Sequence, residues 1–343
     1  MRDKKIDLLR FIGLSSLIMV HIDCPGWLFQ LLNFSVPLIV IASAMAMSYT
    51  QWKGDYWSYV IKRIKRLFFP VWLFLTFYFI FLKVTNLAPN YLTFQNIIDN
   101  YTISNNGGFM WIIRVFLLVA LVAPFIAQLD RKIKSNRKYL AILLVGYLLY
   151  EGLMHLSAFV GDGALKEFIN FYVDYALGYG MIFALGMRIR KLSTKELWFV
   201  GGFAMIVFVI LGAYHFVQEG HFVQTQKFKY PPSAYYVSYA IVACLITWAL
   251  VDKFVGTLVT MNIWIESAVM FIAQNTLWLY FWHTIALFVS YRMHEQNFLM
   301  KYFVVYGLSI LAVFIQNKIV KKVVLSRVEN DRARNEIKAL LTG

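Results

Sequence analysis

Long apolar runs alternate along the chain with short polar segments, and no stretch long enough for a soluble domain lacks such runs. A transmembrane helix needs about 20 mostly apolar residues. The pattern therefore predicts an all-α polytopic membrane protein, a bundle of about ten transmembrane helices. The predicted spans are roughly 6–23, 28–49, 67–86, 111–128, 139–157, 171–187, 197–216, 234–252, 268–290 and 299–317.

The polar segments differ in charge. Lys and Arg concentrate at the N-terminus, in the loops after the second, fourth and sixth spans, and in the C-terminal tail. Cytoplasmic loops of membrane proteins carry such an excess. With an even number of spans these basic segments share one side, so we expect both termini to be cytoplasmic. The same bias explains the net charge of +15, and nucleic acid is not an expected partner.

Composition agrees with a membrane protein. Hydrophobic residues make up 60% of the chain and charged residues 15%, against about 45–50% and 25% in soluble domains. The two cysteines, Cys24 and Cys244, predict neither a disulfide framework nor a zinc site. The charged start lacks a signal-peptide cleavage site and predicts a retained first helix. We divide the chain into a transmembrane domain, 1–324, and a polar cytoplasmic tail, 325–343.

Ionisable residues inside the first span need a structural or functional explanation, since each costs roughly 2.5–3.5 kcal/mol to insert into the membrane. Asp7 and Arg10 are three residues apart and can pair across one helix face, and a purely structural ion pair is an equal alternative. Arg10 and His21 are eleven residues apart, which puts them on one face and roughly 16 Å apart along the axis. Asp23 faces His21 only if the helix unwinds before Pro25.

Other ionisable residues lie in or near later spans. His283 falls inside the ninth span, where a satisfied core histidine is the alternative to a functional one. Glu151 and Asp174 are near the outer ends of the fifth and sixth spans and either line an outer cavity or are simply hydrated.

A basic cluster precedes the third span. It contains Lys62, Arg63 and Arg66. Such clusters set topology and attract anionic lipid. Arginine also binds phosphate through two parallel hydrogen bonds, so a phosphate site is the functional alternative.

Six short stretches occur in an order that carries a family resemblance. They are Asp7-Leu8-Leu9-Arg10 followed by His21, Ser35-Val36-Pro37-Leu38, Arg63-x-x-Arg66 before Pro70, Gly108-Phe109-Met110-Trp111, Leu177-Gly178-Tyr179, and Asn275-Thr276-Leu277 with Tyr280 and His283. Together, from residue 6 to about 290, they resemble the membrane acyltransferase-3 family. Two positions depart from the family pattern, since Ala44 replaces the usual glycine and Phe109 a frequent histidine.

This resemblance implies an acyl-CoA-dependent membrane O-acyltransferase. The expected donor is cytoplasmic acetyl-CoA, with succinyl as another possible group. The expected acceptor is a hydroxyl of a cell-surface sugar, polysaccharide or lipid-linked glycan, and the expected location is the bilayer of the bacterial inner membrane.

Roles follow for the candidate residues. We expect His21 to act as general base, Asp23 to orient it, and His283 to serve as a second acid or base. Arg10, Lys62, Arg63 and Arg66 are the expected donor-binding residues, and Glu151, Asp174 and Trp111 the expected acceptor-binding residues. The sequence offers no convincing metal constellation. No Ser or Cys stands in a nucleophile motif, which favours direct transfer.

Two other classes of function stay open from the sequence. Buried Asp7, Arg10, Glu151 and Asp174 also suit a proton-coupled transporter or flippase, although related halves and broken helices are not evident. A non-catalytic scaffold for polysaccharide synthesis would tolerate loss of both His21 and Arg10.

Overall fold

A computed structural model describes residues 3–50, 54–104, 109–157, 159–260, 263–293 and 297–342. Helices dominate these ranges, which contain no β-strand. The helices are α1 (Lys4–Met19), α2 (Gly26–Leu32), α3 (Ser35–Thr50), α4 (Tyr56–Thr85), α5 (Phe94–Tyr101), α6 (Trp111–Lys132), α7 (Asn136–Ser157), α8 (Ala164–Phe168), α9 (Asp174–Ile189), α10 (Thr194–Glu219), α11 (Ala234–Thr260), α12 (Ile263–Gln274), α13 (Thr276–Tyr291), α14 (Phe298–Ile319) and α15 (Asp331–Leu341).

Eight helical segments in the described ranges are long and apolar enough to cross a bilayer. The chain is therefore an all-helical polytopic membrane protein, as the apolar pattern predicts. The predicted spans 6–23 and 268–290 fall on shorter helices, because α1 and α13 have 16 residues each and α12 has 12. Sixteen residues reach about 24 Å, short of the ~30 Å hydrocarbon core. The count of ten spans is thus not confirmed.

The short helix α1 is an interior element. Its Leu9, Leu14 and Ile18 are buried, and it packs against α3, α11, α12 and α13. The crossing with α3 is close, since a Cβ atom on Gly13 would lie 2.6 Å from Cγ1 of Ile39. A helix surrounded by protein need not match the bilayer in length.

A second close crossing joins α3 to α9. A Cβ atom on Gly186 would lie 2.8 Å from Cβ of Ala44 and 2.9 Å from Cα of Ile41. The two helices approach so closely because small residues meet there. Ala44, one of the two departures from the family pattern, therefore keeps the small side chain that this contact needs.

Peripheral helices contrast with this interior. In α10 the only buried residue is Ala204, and α7 buries only Tyr139, Tyr150 and Ser157. The outward faces of α7 and α10 are apolar and suit contact with lipid.

An ion cluster at the inner end of the bundle is formed by the buried side chains of Asp130 and Arg188 and by the exposed Lys191. The Arg188 guanidinium donates to Asp130 Oδ1 at 2.9 Å, to Asn136 Oδ1 at 2.9 Å, and to the carbonyls of residues 133 and 134 at 2.8 Å each. Lys191 also pairs with Asp130. This cluster joins α6, α7 and α9 with its charges fully partnered.

The C-terminal helix α15 docks against the bundle. The indole of Trp278 donates to the carbonyl of Leu340 at 3.1 Å, and the amide of Gln316 donates to the carbonyl of Leu341 at 2.6 Å. The division between a transmembrane domain and a tail at residue 324 stays a prediction.

Candidate active site

Two histidines from distant parts of the chain meet near the predicted outer end of the bundle. Helix α1 ends at Met19, so His21 lies in the turn that follows, whereas His283 lies within α13 and is fully buried. His21 Nδ1 and His283 Nε2 are 3.0 Å apart. The ring centroids are 5.1 Å apart and the planes differ by 13°, as expected for rings joined edge to edge by a hydrogen bond.

Hydrogen bonding fixes the tautomers of this pair. His283 Nδ1 contacts the backbone carbonyl of Tyr280. A carbonyl only accepts, so His283 Nδ1 carries the proton and Nε2 of the neutral ring is an acceptor. His21 Nδ1 must then donate to it. The remaining nitrogen, Nε2 of His21, keeps its lone pair and is the atom able to accept a proton.

Phe109 packs against the edges of both histidine rings. Its centroid lies 5.2 Å from that of His21 and 5.5 Å from that of His283, with both pairs nearly perpendicular. The Tyr280 hydroxyl donates to the Phe109 carbonyl at 2.5 Å. Phe109, the second departure from the family pattern, thus gives the pair an apolar wall.

A buried lysine lies near this pair. Lys229 is 4% exposed and donates to Asn33 Oδ1 at 3.3 Å. Its Nζ lies 4.9 Å from the ring centroid of Trp111, 5.6 Å from that of Tyr230 and 6.0 Å from that of Tyr236.

No carboxylate in the described ranges is within ion-pairing distance of the lysine. Burial lowers the pKa of Lys229 to about 7. Its charge is close enough to act on His21.

A polar clamp holds the loop that carries Lys229. Gln30 and Asn33 donate to Thr225 Oγ1 at 3.0 and 2.9 Å, and the backbone N–H of Thr225 donates to Gln30 Oε1 at 2.9 Å. Because Asn33 also accepts from Lys229, the junction of α2 and α3 fixes both the loop and the ammonium group.

Lys229 was not among the residues predicted for the site, because it lies in the polar segment between the seventh and eighth predicted spans. One signal was present. Outer loops hold few basic residues, and this one carries both Lys227 and Lys229 beside aromatic residues.

The other residues predicted for catalysis and donor binding lie elsewhere. Asp23 is exposed, and no hydrogen bond joins it to His21 in the described part of the chain. Arg10 Nη1 lies 3.2 Å from Oδ1 of the buried Asp7, so the ion pair suggested by their spacing is present. The roles assigned to Asp23 and Arg10 stay predictions.

The basic cluster on α4 faces solvent or headgroups. Lys62, Arg63 and Arg66 are exposed, and no carboxylate of the described residues pairs with them. The Arg63 guanidinium lies 5.1 Å from the ring centroid of Tyr59. The cluster is therefore accessible to an anionic group, and its role in donor binding stays a prediction.

The three predicted acceptor-binding residues do not lie together. Glu151 accepts from the backbone N–H of Ala234 at 3.1 and 3.2 Å and so caps the start of α11. Asp174 is buried, and its Oδ2 atom has no hydrogen-bond partner in the described ranges. Of the three, only Trp111 lies near the histidine pair and Lys229, because its ring centroid is 4.9 Å from Lys229 Nζ.

Within the described residues, no group of three His, Cys, Asp or Glu side chains is placed to hold a metal ion. The site that these residues do form is a base with a free lone pair, an orienting second histidine and a nearby buried ammonium group. Such an arrangement suits proton abstraction from a hydroxyl.

Comparison with known protein families identifies a match over most of the chain. The Acyl_transf_3 family model, described as an acyltransferase domain, matches residues 3–316. No curated protein and no solved structure matches the chain.

Proposed function

Because the chain belongs to the acyltransferase-3 family and is a membrane acyltransferase, we propose that it transfers an acetyl group from cytoplasmic acetyl-CoA. The proposed acceptor is a hydroxyl of a sugar, polysaccharide or lipid-linked glycan outside the bacterial inner membrane. The observation that carries this proposal is the oriented pair of histidines, which leaves His21 Nε2 free to accept a proton. The family match favours an enzyme over a transporter or a scaffold.

His21 acts as general base in this scheme. Its Nε2 takes the acceptor's hydroxyl proton as the oxygen attacks the thioester carbonyl. His283 accepts the hydrogen bond from the His21 imidazolium and holds its orientation. When the tetrahedral intermediate collapses, the C–S bond breaks and the CoA thiolate takes the proton from His21. The products are the ester and free CoA.

Lys229 stabilises the developing negative charge. A tetrahedral intermediate bears an oxyanion, and a positioned cation in a water-poor site lowers its free energy more than it would in bulk water. The buried ammonium near His21, which lacks a carboxylate partner among the described residues, supplies that charge.

The basic side chains on α4 hold the donor. Their exposure and lack of ion pairs within the described residues make them available to the phosphates of CoA. The thin pantetheine arm then carries the thioester along the bundle from the inner end toward His21. Arg10 lies between the two ends and guides the arm.

The test is CoA release from acetyl-CoA by protein purified into nanodiscs. Wild type is compared with Arg10→Ala and His21→Ala, and His155→Ala serves as control because His155 is an exposed histidine on α7. We expect micromolar donor binding that Arg10→Ala weakens, and turnover that His21→Ala abolishes. Folded wild-type protein that fails to bind acetyl-CoA would contradict the proposal.

A further inference from the structure

A cleft lined by aromatic, aliphatic and polar side chains lies beside the histidine pair. Its volume is about 360 Å³, and it is bounded by α4, by α5 with the turn before it, and by α13. Its lining includes Tyr78, Tyr91, Asn100, Tyr291 and Arg292. Small-molecule sites typically occupy roughly 300–1,000 Å³ and combine aromatic walls with a few polar groups.

The cleft shares a wall with the active site. Phe109 lines the cleft and also contacts both histidine rings edge-on. Thr284, the neighbour of His283 on α13, lines it as well. One side chain therefore separates a ligand in the cleft from the proposed base.

Two polar groups in the cleft have no hydrogen-bond partner among the described residues. The Asn100 amide nitrogen donates to the Asn96 carbonyl at 2.7 Å, which leaves Asn100 Oδ1 as an open acceptor within the described ranges. The Tyr78 hydroxyl likewise makes no hydrogen bond to any described residue. An amide oxygen and a phenol together accept and donate, which matches the hydroxyl groups of a sugar.

Aromatic rings supply the rest of the lining. The rings of Tyr78 and Phe288 are stacked with centroids 6.4 Å apart, and Tyr291 meets Phe288 edge-on at 6.4 Å. Flat aromatic surfaces pack well against the apolar face of a sugar ring, while polar groups at the side bind its hydroxyls.

A second, larger groove has a different lining. It occupies about 690 Å³ between α7, α9, α10 and α11. Its walls are mainly aliphatic, with residues such as Leu140, Leu144 and Val207. That lining suits lipid chains and offers little to a sugar.

We propose that the cleft binds one sugar ring of the acyl acceptor, held by Asn100 and Tyr78 and stacked on the aromatic wall that includes Tyr291. The acceptor role rests on the proposed acyl transfer, whereas the binding of a sugar does not. Phe109 then stands between the bound ring and His21, so its side chain must turn aside for a hydroxyl to reach Nε2.

The experiment is saturation-transfer NMR on the full chain in nanodiscs with glucose, galactose, N-acetylglucosamine and glucuronate. Variants are Asn100→Leu, Tyr291→Ala and Tyr78→Phe, the last of which keeps the ring and removes only the hydroxyl. Tyr214→Ala on α10 is the control, because Tyr214 is an exposed tyrosine away from the cleft (57% exposed, against 45% for Tyr291). Gel filtration and thermal unfolding check that each variant is folded.

We expect saturation transfer to at least one sugar, reduced fivefold or more in Asn100→Leu and Tyr291→Ala, reduced less in Tyr78→Phe, and unchanged in Tyr214→Ala. No transfer to any of the four sugars, or equal transfer in wild type and folded cleft variants, would overturn the inference.

Acetyl-CoA turnover separates this inference from the proposed function. If the cleft variants raise the acceptor KM while donor binding is unchanged, both stand. If the cleft variants transfer the acyl group with an unaltered acceptor KM, the sugar site is contradicted and the proposed function is supported. If the protein binds sugar but never releases CoA from acetyl-CoA, the proposed function is contradicted and the sugar site is supported.

Discussion

Two buried cations at opposite ends of the bundle illustrate two uses of charge. Arg188, in the inner ion cluster, meets a carboxylate, a side-chain amide and three backbone carbonyls. Lys229, at the outer end, has one 3.3 Å hydrogen bond and three aromatic faces. Burying a charge costs free energy unless hydrogen bonds and opposite charges replace the lost hydration. Arg188 is therefore placed for stability, whereas Lys229 retains electrostatic capacity for a ligand.

The largest expected effect comes from breaking the inner cluster. In Arg188→Met, the buried Asp130 loses its main partner, and removing one member of a buried pair typically costs about 3–5 kcal/mol. We expect low yield of monodisperse protein and a much lower thermal midpoint. Arg190→Met is the control, because Arg190 is exposed and contacts the ring of Tyr49. A thermal midpoint of Arg188→Met equal to that of wild type would contradict the structural role of Arg188.

At the outer end, the largest expected effect is on rate. Loss of a general base lowers turnover by about 10²–10⁴-fold, so His21→Ala should lose transfer while keeping the fold. His283→Gln leaves a side chain that can still accept from His21, and a smaller loss is expected. Both are measured as CoA release with an acceptor present. Full activity of folded His21→Ala would exclude His21 as the base.

The variant Lys229→Met tests the contrast between Lys229 and Arg188 most directly. Methionine is similar in length, lacks the charge and fits among aromatic rings. We expect kcat to fall about 10²-fold, the usual cost of losing one oxyanion donor, without loss of thermal stability. Destabilisation comparable to that of Arg188→Met, with kcat unchanged in the surviving protein, would assign Lys229 a structural role instead.

The sequence predicted some of these features and missed others for physical reasons. Helical periodicity predicted that Arg10 and His21 share one helix face, but α1 ends at Met19 and His21 lies in the turn that follows, so this alignment is not confirmed. The contact between His21 and His283 joins residues 262 positions apart in the chain, and no local sequence pattern predicts such a contact. Glu151 was predicted either to line an outer cavity or to be hydrated. Its contact with the N–H of Ala234 depends on how α7 and α11 pack, which the sequence does not show, and its role in acceptor binding stays a prediction.

Helix lengths were the other difference. The apolar pattern marks α1 as a span, but it cannot tell whether a helix faces lipid or protein. Helix α1 is enclosed by other helices and ends at Met19, before reaching the full bilayer thickness. That early end places His21 in a turn, from which its ring meets His283.

The smallest expected effect is the pH dependence of stability due to Lys229. An ordinary lysine has a pKa of about 10.4, and burial lowers that of Lys229 to about 7. Between these values the unfolded chain binds a proton that the folded chain lacks, so the free energy of unfolding rises with pH. Below pH 7 the lysine is charged in both states and its unfavourable contribution is complete and constant. The slope above pH 7 is at most about 1.4 kcal/mol per pH unit.

Thermal midpoints of wild type and Lys229→Met at pH 6.5 and 8.5 measure this slope. Tyr230 does not interfere, since burial raises its pKa to about 12 and it stays neutral at both values. We expect the variant to be the more stable protein at pH 6.5 and its advantage to shrink at pH 8.5. An advantage that is absent, or equal at the two pH values, would mean that Lys229 is well solvated or ion-paired in the membrane. The contrast with Arg188 would then no longer hold.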